Sequence, residues 1–522
     1  MYQGDNCLLD ELNYFSMKKH LLFLLTILSL TTYVSCSDDV DDRIPKRRPT
    51  PPTPSTEKEI RITPLTDSAA DPQGGRQRGE DASDLLSSYS FNQQVLITFS
   101  EGNVQVEGVA DITISKQQAH LSITSAAEHI EYVLSGTAHN GSFRLSSSHP
   151  YKLTLRNLSL TNDNTVIKLT SNSKAFLNIP SGTTNTLTNT ITPNEGDDAT
   201  VLYSLGAVVL TGEGSLSLKG EKSSGIICQS SLRTALAAQG KLSVEARKDG
   251  IRSKTAYIGD GGTIMVDTQD NDGLGNAIVV TNGHVIINDG DYTLKAKNNA
   301  LMASLTQRET DPFITINGGT LSISAWAKGI VSASIVTFSN AYINVNSIET
   351  GVQGSKGIYI NKGRYLLEST SGNTLESEQS FTLTAGRTFL RSRGSQTPIN
   401  VPATGTFEIT GGTLIATGGK PQQNASLKEG SQPAFVFFKN FTAQTLLHLR
   451  EGEREVFTYR TPISIAYLLF TSEKLQANKK YHFYKGGIIR EGQEENNLYH
   501  NGWYSKPDSL VTYFTANKTV NP

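Results

Sequence analysis

Gly214-Ser215-Leu216, Gly240-Lys241-Leu242, Gly262-Thr263-Ile264, Asp291-Tyr292-Thr293, Gly319-Thr320-Leu321, Ala341-Tyr342-Ile343, Gly363-Arg364-Tyr365, Gly386-Arg387-Thr388 and Gly412-Thr413-Leu414 are returns of one pattern, a small turn residue opening a strand. Successive returns are 26, 22, 29, 28, 22, 22, 23 and 26 residues apart. A period near 22 with occasional insertions suits one coil of a three-sided parallel β-helix. Its coils stack about 4.8 Å apart around one column of inward aliphatic side chains. Leucine-rich repeats share the period but need a fixed Leu/Asn consensus that is not here, and a β-propeller repeats at roughly twice this length. The pattern therefore predicts an all-β chain built on a right-handed single-stranded parallel β-helix, with regular coils over residues 201–434.

Alternating segments upstream, such as Val104-Gln105-Val106, Ile112-Thr113-Ile114 and Leu153-Thr154-Leu155, read as half-buried strands. They predict N-terminal strands and early coils over 91–200 that cap the solenoid's open edge. Beyond about Phe435 the repeat gives way to aromatic alternation, Phe435-Val436-Phe437-Phe438 and Tyr481-His482-Phe483-Tyr484, which predicts a small C-terminal β cap or domain over 435–522. Residues 37–90 begin with Pro45, Pro49, Pro51, Pro52 and Pro54 and continue rich in Gly, Arg, Asp and Ser, with few clustered apolar residues. That composition predicts a disordered tether.

The chain's start carries targeting chemistry. Met17 precedes a basic Lys18-Lys19-His20, an apolar run from Leu21 to Leu30, and Tyr33-Val34-Ser35-Cys36. This is the order of a secretory signal ending in a lipobox, so residues 1–36 are expected to be leader and signal peptide, with translation starting at Met17 and lipidation at Cys36. The apolar run is too short to span about 30 Å of hydrocarbon. The acidic Ser37-Asp38-Asp39-Val40-Asp41-Asp42 resembles the signal by which one phylum of Gram-negative bacteria exports lipoproteins to the surface. The expected location is the outer membrane's outer face, held by the lipid anchor only. With Cys7 in the leader and Cys36 at the cleavage point, Cys228 is alone in the body, and no disulfide framework is possible. A formal net charge of −2 without a basic stripe excludes nucleic-acid binding, and a monomer is expected.

Several segments resemble the calcium-bound, pectate-lyase-like β-helix family of carbohydrate-binding domain-containing proteins. They are Tyr132 to Thr137 with Gly141-Ser142, the Leu153 to Leu160 run "LTLRNLSL", and the Asn178 to Leu187 run "NIPSGTTNTL". Gly212 to Leu216, the Asp249-Gly250-Ile251 turn and Gly411 to Gly419 follow in the same order. The resemblance implies non-catalytic binding of cellulose- or pectin-like polysaccharide on a β-helix that carries structural calcium. The chain departs from it in keeping acid and glycine only at Asp249-Gly250-Ile251 and Asp272-Gly273-Leu274. An adhesin or envelope structural protein is the alternative, and a polysaccharide lyase a second one.

Candidate site residues follow from this frame. Counting on from the strand anchors places Asp249, Asp272, Asn299 and Lys328 in one turn column. Asp249 and Asp272, with Asp270 and Asn299 beside them, would supply oxygens to calcium. The competing reading is a solvated turn, where Asp and Asn hydrogen-bond their own backbone. A sugar needs a flat aromatic face with polar groups around it, and Trp326, Tyr359 and Lys328 are the contacts expected. Tyr292, Tyr342 and Tyr365 stand at similar points of their coils and are expected to form a stacked ladder or a sugar platform. A lyase would need an Arg or Lys base, for which Arg247, Lys248 and Arg252 are the nearest groups. The sequence holds no nucleophile motif, paired metal histidines or phosphate loop, so no catalytic residue is assigned.

Overall fold

The computed structural model describes residues 59–108, 111–190, 200–269, 274–304, 311–421, 425–507, 510–515 and 519–520. The expected signal peptide, Cys36 and the proline-rich start of the expected tether lie outside the described residues, as do Asp270 and Asp272.

The chain is all-β, a parallel solenoid of about 12 turns. One coil shows the scheme. Ile251–Ser253 forms a first face, Ala256–Gly261 a second and Thr263–Thr268 a third, before Ile278–Val280 starts the next coil. Coils pair parallel and in register, Ile251 with Ile278, Ile258 with Ile286, and Val266 with Leu294. Period-2 alternation sends every other side chain inward, so the inner residues stack into a continuous core.

The corner that opens the third face is the repeat read from the sequence. Gly262, Gly290, Gly319, Gly363, Gly386 and Gly412 turn it with φ of 77°, 115°, 83°, 106°, 87° and 78°. An L side chain disfavours that region, so glycine recurs where the chain must bend sharply. Ala341 holds the corner in its own coil, and the anchor out of register is Asp291. It pairs with Thr263 and Thr320, so the corner residue of that coil is Gly290.

Both ends are closed by antiparallel pairing, which blunts the open edges of a solenoid. At the N-terminal end Asn103–Glu107 pairs with Gln93–Ser100, and Ile112–Gln117 with Ala119–Ser125. At the other end Tyr467–Thr471 runs antiparallel to the last strand of the third face, Thr413–Gly418. It leads into a six-stranded sheet packed around Phe457, Phe470, Tyr481 and Phe483.

The tether expected over 37–90 is corrected within the described residues. Ile60–Arg61 pairs antiparallel with Trp503–Ser505 in the C-terminal domain. Residues 66–91 then run as a strap across the strands of the second face, from the last coils back to the first, extended to Asp81 and followed by two 3-10 turns at Ala82–Asp84 and Leu86–Ser88. The backbone of Gly412 donates to Ser68, and Ala70 donates to Thr384. Further along, Asn317 Nδ2 donates to the Gln77 carbonyl and Asn288 Nδ2 to that of Arg78, both at 2.9 Å. Composition suggested disorder because the strap carries little apolar side chain. It is fixed instead through its own peptide groups, which the solenoid's backbone and side chains satisfy.

Candidate functional site

On the third face the outward positions form registered columns. One runs Asp291, Thr320, Tyr342, Arg364, Arg387, and the next runs Thr293, Ser322, Asn344, Leu366, Phe389. In the coils up to that of Tyr342 these residues are small and polar, which leaves that part of the face shallow, whereas the next two coils place Arg364, Leu366, Arg387 and Phe389 there. Tyr342 stands out of it at 56% exposure, with the Arg364 guanidinium 5.7 Å from its ring centroid. Two hollows flank the ring. One of 280 Å³ lies at the corner between Asn340, Lys362, Asp67 and Ala69. The other, of 360 Å³, lies over Ser322, Asn344 and Leu366, against Glu495 and Asn496. The strap supplies Asp67 and Ala69, and the C-terminal domain supplies Glu495 and Asn496, so the groove has a solenoid floor and walls from both added segments.

Arginines hold those walls. Arg387 Nη1 donates to Glu495 Oε2 at 2.7 Å, its Nη2 to the Leu65 carbonyl at 3.2 Å, and its Nε lies 3.5 Å from Asp67. Arg364 Nη1 reaches the other Glu495 oxygen at 3.1 Å. Arg391 donates to Glu368 at 2.8 Å and to the Asn496 carbonyl at 2.8 Å. The Arg387 and Arg391 guanidiniums each serve several acceptors at once, the geometry for which arginine is suited and lysine is not.

Trp326 continues the outward alternation of Thr320, Ser322 and Ser324 and is 53% exposed, as its place in the turn predicts. It stands six residues along from the Thr320 position that pairs with Tyr342, about 20 Å at a strand's rise per residue. Lys297 Nζ sits 3.6 Å from its ring centroid. Two exposed aromatic rings thus mark the ends of one polar face, each with a cation beside it. Lys328 does not turn toward Trp326. Its Nζ donates to Gln353 Oε1 at 2.6 Å.

Two expectations about tyrosines are corrected. Tyr359 lies on the second face beneath the strap, where a Cβ on Gly74 would come within 2.6 Å of its ring, so it presents no sugar platform. The ladder of Tyr292, Tyr342 and Tyr365 does not form either. Tyr292 pairs with Leu321, Leu321 with Ile343 and Ile343 with Tyr365, which puts Tyr292 and Tyr365 inside the core, whereas Tyr342 is one residue out of that register and points outward. A shift of one residue on a strand reverses the face.

The turn column between the third and first faces is a hydrogen-bonded ladder. Asn276, not Asp272, occupies the coil after Asp249, since Ile251 pairs with Ile278. Asp249 Oδ1 accepts from the Asn276 backbone N at 3.0 Å and from its Nδ2 at 2.9 Å. Asn276 Oδ1 accepts from Asn299, and Asn299 Oδ1 from the Lys328 backbone N at 3.2 Å. The second Asp249 oxygen accepts from Arg252, at 2.8 Å from Nε and 2.6 Å from Nη2. Asp249 and Asn299 do not fit a cation here, because N–H donors already occupy their side-chain oxygens and a guanidinium stands beside the carboxylate. Among the described residues no three acidic, histidine or cysteine side chains cluster as a metal site. Arg252 is tied to Asp249, and Arg247 and Lys248 are exposed.

Arg364 and the remote walls Asp67 and Glu495 are the site residues that sequence reasoning missed. Only the tertiary fold brings them to Tyr342. The family model that matches the chain is described as carbohydrate-binding domain-containing protein and covers residues 117–425. Tyr342, Arg364 and Trp326 fall inside that span, and Asp67 and Glu495 outside it. Among solved structures the chain is similar to the polysaccharide lyase-like protein from C. thermocellum, solved as a gadolinium derivative. That match has 18% identity and a TM-score of 0.37, over 56% of this chain and 96% of the other. No curated protein matches the chain.

Proposed function

The chain belongs to the family of carbohydrate-binding domain-containing proteins, and from that premise we propose that it is a non-catalytic polysaccharide-binding protein of the cell surface, holding cellulose- or pectin-like glycan in the Tyr342 groove. The observation that carries the assignment to this groove is the exposed Tyr342 ring between two hollows, beside the small polar residues Thr320, Ser322 and Asn344. The apolar side of a pyranose ring packs on such an aromatic face, as an amphipathic anchor does at other interfaces. Hydroxyl and amide side chains of Ser322 and Asn344 then meet the sugar hydroxyls. A glycan lying along the strands passes from Tyr342 toward Trp326.

Retention on insoluble cellulose and on a pectin gel tests this reading, with Tyr342→Ala as the comparison. Retention that Tyr342→Ala reduces at least tenfold, about 1.4 kcal/mol, supports the groove. Equal retention of variant and parent places binding elsewhere. Incubation with polygalacturonate is expected to release no unsaturated, ultraviolet-absorbing product, and its appearance would make the protein a lyase.

Surface display through Cys36 completes the reading. It is supported by the basic, apolar and lipobox order of Lys18 to Cys36 in the sequence. Labelled palmitate should enter the parent chain and not Cys36→Ala. Equal labelling of the two would overturn the anchor.

A further inference from the structure

Parallel solenoids carry an inherent weakness. Each coil touches only its neighbours, so stability is close to a sum of local terms and coils can open from the ends. The strap departs from that pattern. As its number rises from 68 to 91, its partners on the second face and at the corner after it run from the last coils toward the first: Gly412, Thr384, Asn361, Thr337, Asn317, Asn288, Arg233 and Phe176.

Its grip is on the backbone. Asn361 both accepts from the Gln73 N at 2.7 Å and donates to the Gln73 carbonyl at 2.9 Å, and the Gly75 N donates to Thr337 Oγ1 at 2.9 Å. Arg233 donates to the Gly79 carbonyl and binds Asp84 at 2.8 Å. Glycine is required where the strap presses closest. A Cβ on Gly74 would meet the Tyr359 ring at 2.6 Å, and one on Gly79 would meet Ile258 at 2.8 Å. Beneath it runs one registered stripe, Val209, Arg233, Ile258, Ile286, Thr315 and Thr337. The apolar members of that stripe are buried although they point out of the solenoid.

We propose that the strap is a staple built into the fold, which ties the coils between Phe176 and Gly412 to one another so that the solenoid opens as one unit rather than coil by coil. The strap has no secondary structure of its own between Ile62 and Asp81, and its order comes entirely from docking. Its docking therefore requires the first and last coils to be formed at once, which makes their stabilities interdependent. The inference does not depend on what the Tyr342 groove binds.

Native-state hydrogen exchange of the full chain in rising denaturant, read by peptide and mass, tests the proposal. In the parent protein the first, middle and last coils should approach one common opening free energy. A parent whose end coils open well before the middle overturns the staple. Replacing Gly74, Gly75 and Gly79 together by Val blocks docking from the strap side and leaves every solenoid residue in place. Exchange in the end coils should then rise roughly tenfold or more above the middle ones, and a single unfolding transition should broaden into separate ones. Unchanged, coincident opening in the variant also overturns it. Asn361→Ala, which removes two strap hydrogen bonds and the acceptor of the Thr384 hydroxyl, should show a smaller change in the same direction, confined first to residues around Gln73.

Discussion

Arg387 and Glu495, 108 residues apart in sequence, meet through a 2.7 Å hydrogen bond that fixes the C-terminal domain's loop against the solenoid's third face. The same guanidinium reaches Leu65 and Asp67 at the start of the strap. One largely buried side chain thus holds both walls of the Tyr342 groove.

Arg387→Met should therefore weaken glycan retention without removing a group that touches the sugar. The variant keeps much of the aliphatic bulk and loses the fork that joins Asp67 to Glu495. Leaving a partly buried Glu495 with fewer donors should also cost about 1–3 kcal/mol of stability. Arg387→Lys supplies charge without the bidentate geometry and should recover only part of the retention. Retention equal to the parent in both variants would show that the walls are not part of the binding surface.

The three aromatic residues read from the sequence as candidates for sugar contact or platform should separate cleanly. Tyr342→Ala is expected to lose most of the binding, and Trp326→Ala a smaller share, because Lys297 already occupies one side of the Trp326 ring. Tyr359→Ala should leave glycan binding unchanged, since the strap covers that ring, and should instead lower the melting temperature. Loss of binding in Tyr359→Ala at full folding would contradict the position of the strap.

The period of the solenoid was legible in the sequence because its causes are local. A corner glycine at positive φ and the inward-outward alternation after it both leave marks within a few residues. Where the marks were ambiguous the reading slipped by one position, as at Asp291, whose neighbour Gly290 turns the corner. Counting on from Gly262 reaches Asp272 and not Asn276 because an insertion lengthens that turn, and counting from the strand cannot see where the extra residues go. The strap was read as a tether because Gly74, Gly75 and Gly79 look like flexible linker. In the fold the missing side chains are what allow close approach. The groove was half legible: Tyr342 and Trp326 were visible as aromatic residues, but Asp67 and Glu495 are brought to them by packing between segments hundreds of residues apart.

The Asp249 ladder makes a distinct prediction about calcium. Asp249→Ala removes the acceptor of the Asn276 N–H and the partner of Arg252, and should cost about 2–3 kcal/mol. Because N–H groups and not a metal satisfy these oxygens, EDTA and saturating calcium should leave the melting temperature of the parent the same. A calcium-dependent rise that Asp249→Ala abolishes would show that the carboxylate exchanges its donors for the ion.

Acid sensitivity should have a large contribution from His448 in the C-terminal segment, where the histidine pKa is pulled down furthest. His448 is fully buried and stacked on Tyr504, with ring centroids 3.7 Å apart. Thr458 donates its hydroxyl proton to Glu455 at 3.1 Å, so it can only accept from His448 Nδ1 at 2.8 Å, which puts the imidazole proton on Nδ1. Nε2 has no hydrogen-bond partner. Burial, and then the charges of Arg450 and Lys474, pull the pKa of His448 down to about 3. The unfolded chain titrates this group near 6.5, so on acidification it is the unfolded state that takes up the proton first. The contribution of His448 to stability is thus complete above pH 6.5 and falls as the pH drops toward 3, by about 1.4 kcal/mol per unit. Glu455 runs the other way, since burial raises its pKa and the folded state then takes up its proton first. Denaturant unfolding of the parent and of His448→Gln at pH 7.5 and pH 5 isolates the histidine. The stability advantage of the parent should shrink by about 2 kcal/mol between the two. An advantage that stays constant across that window would mean that His448 takes up its proton equally in the folded and unfolded chain, and that its burial against Tyr504 does not govern its charge.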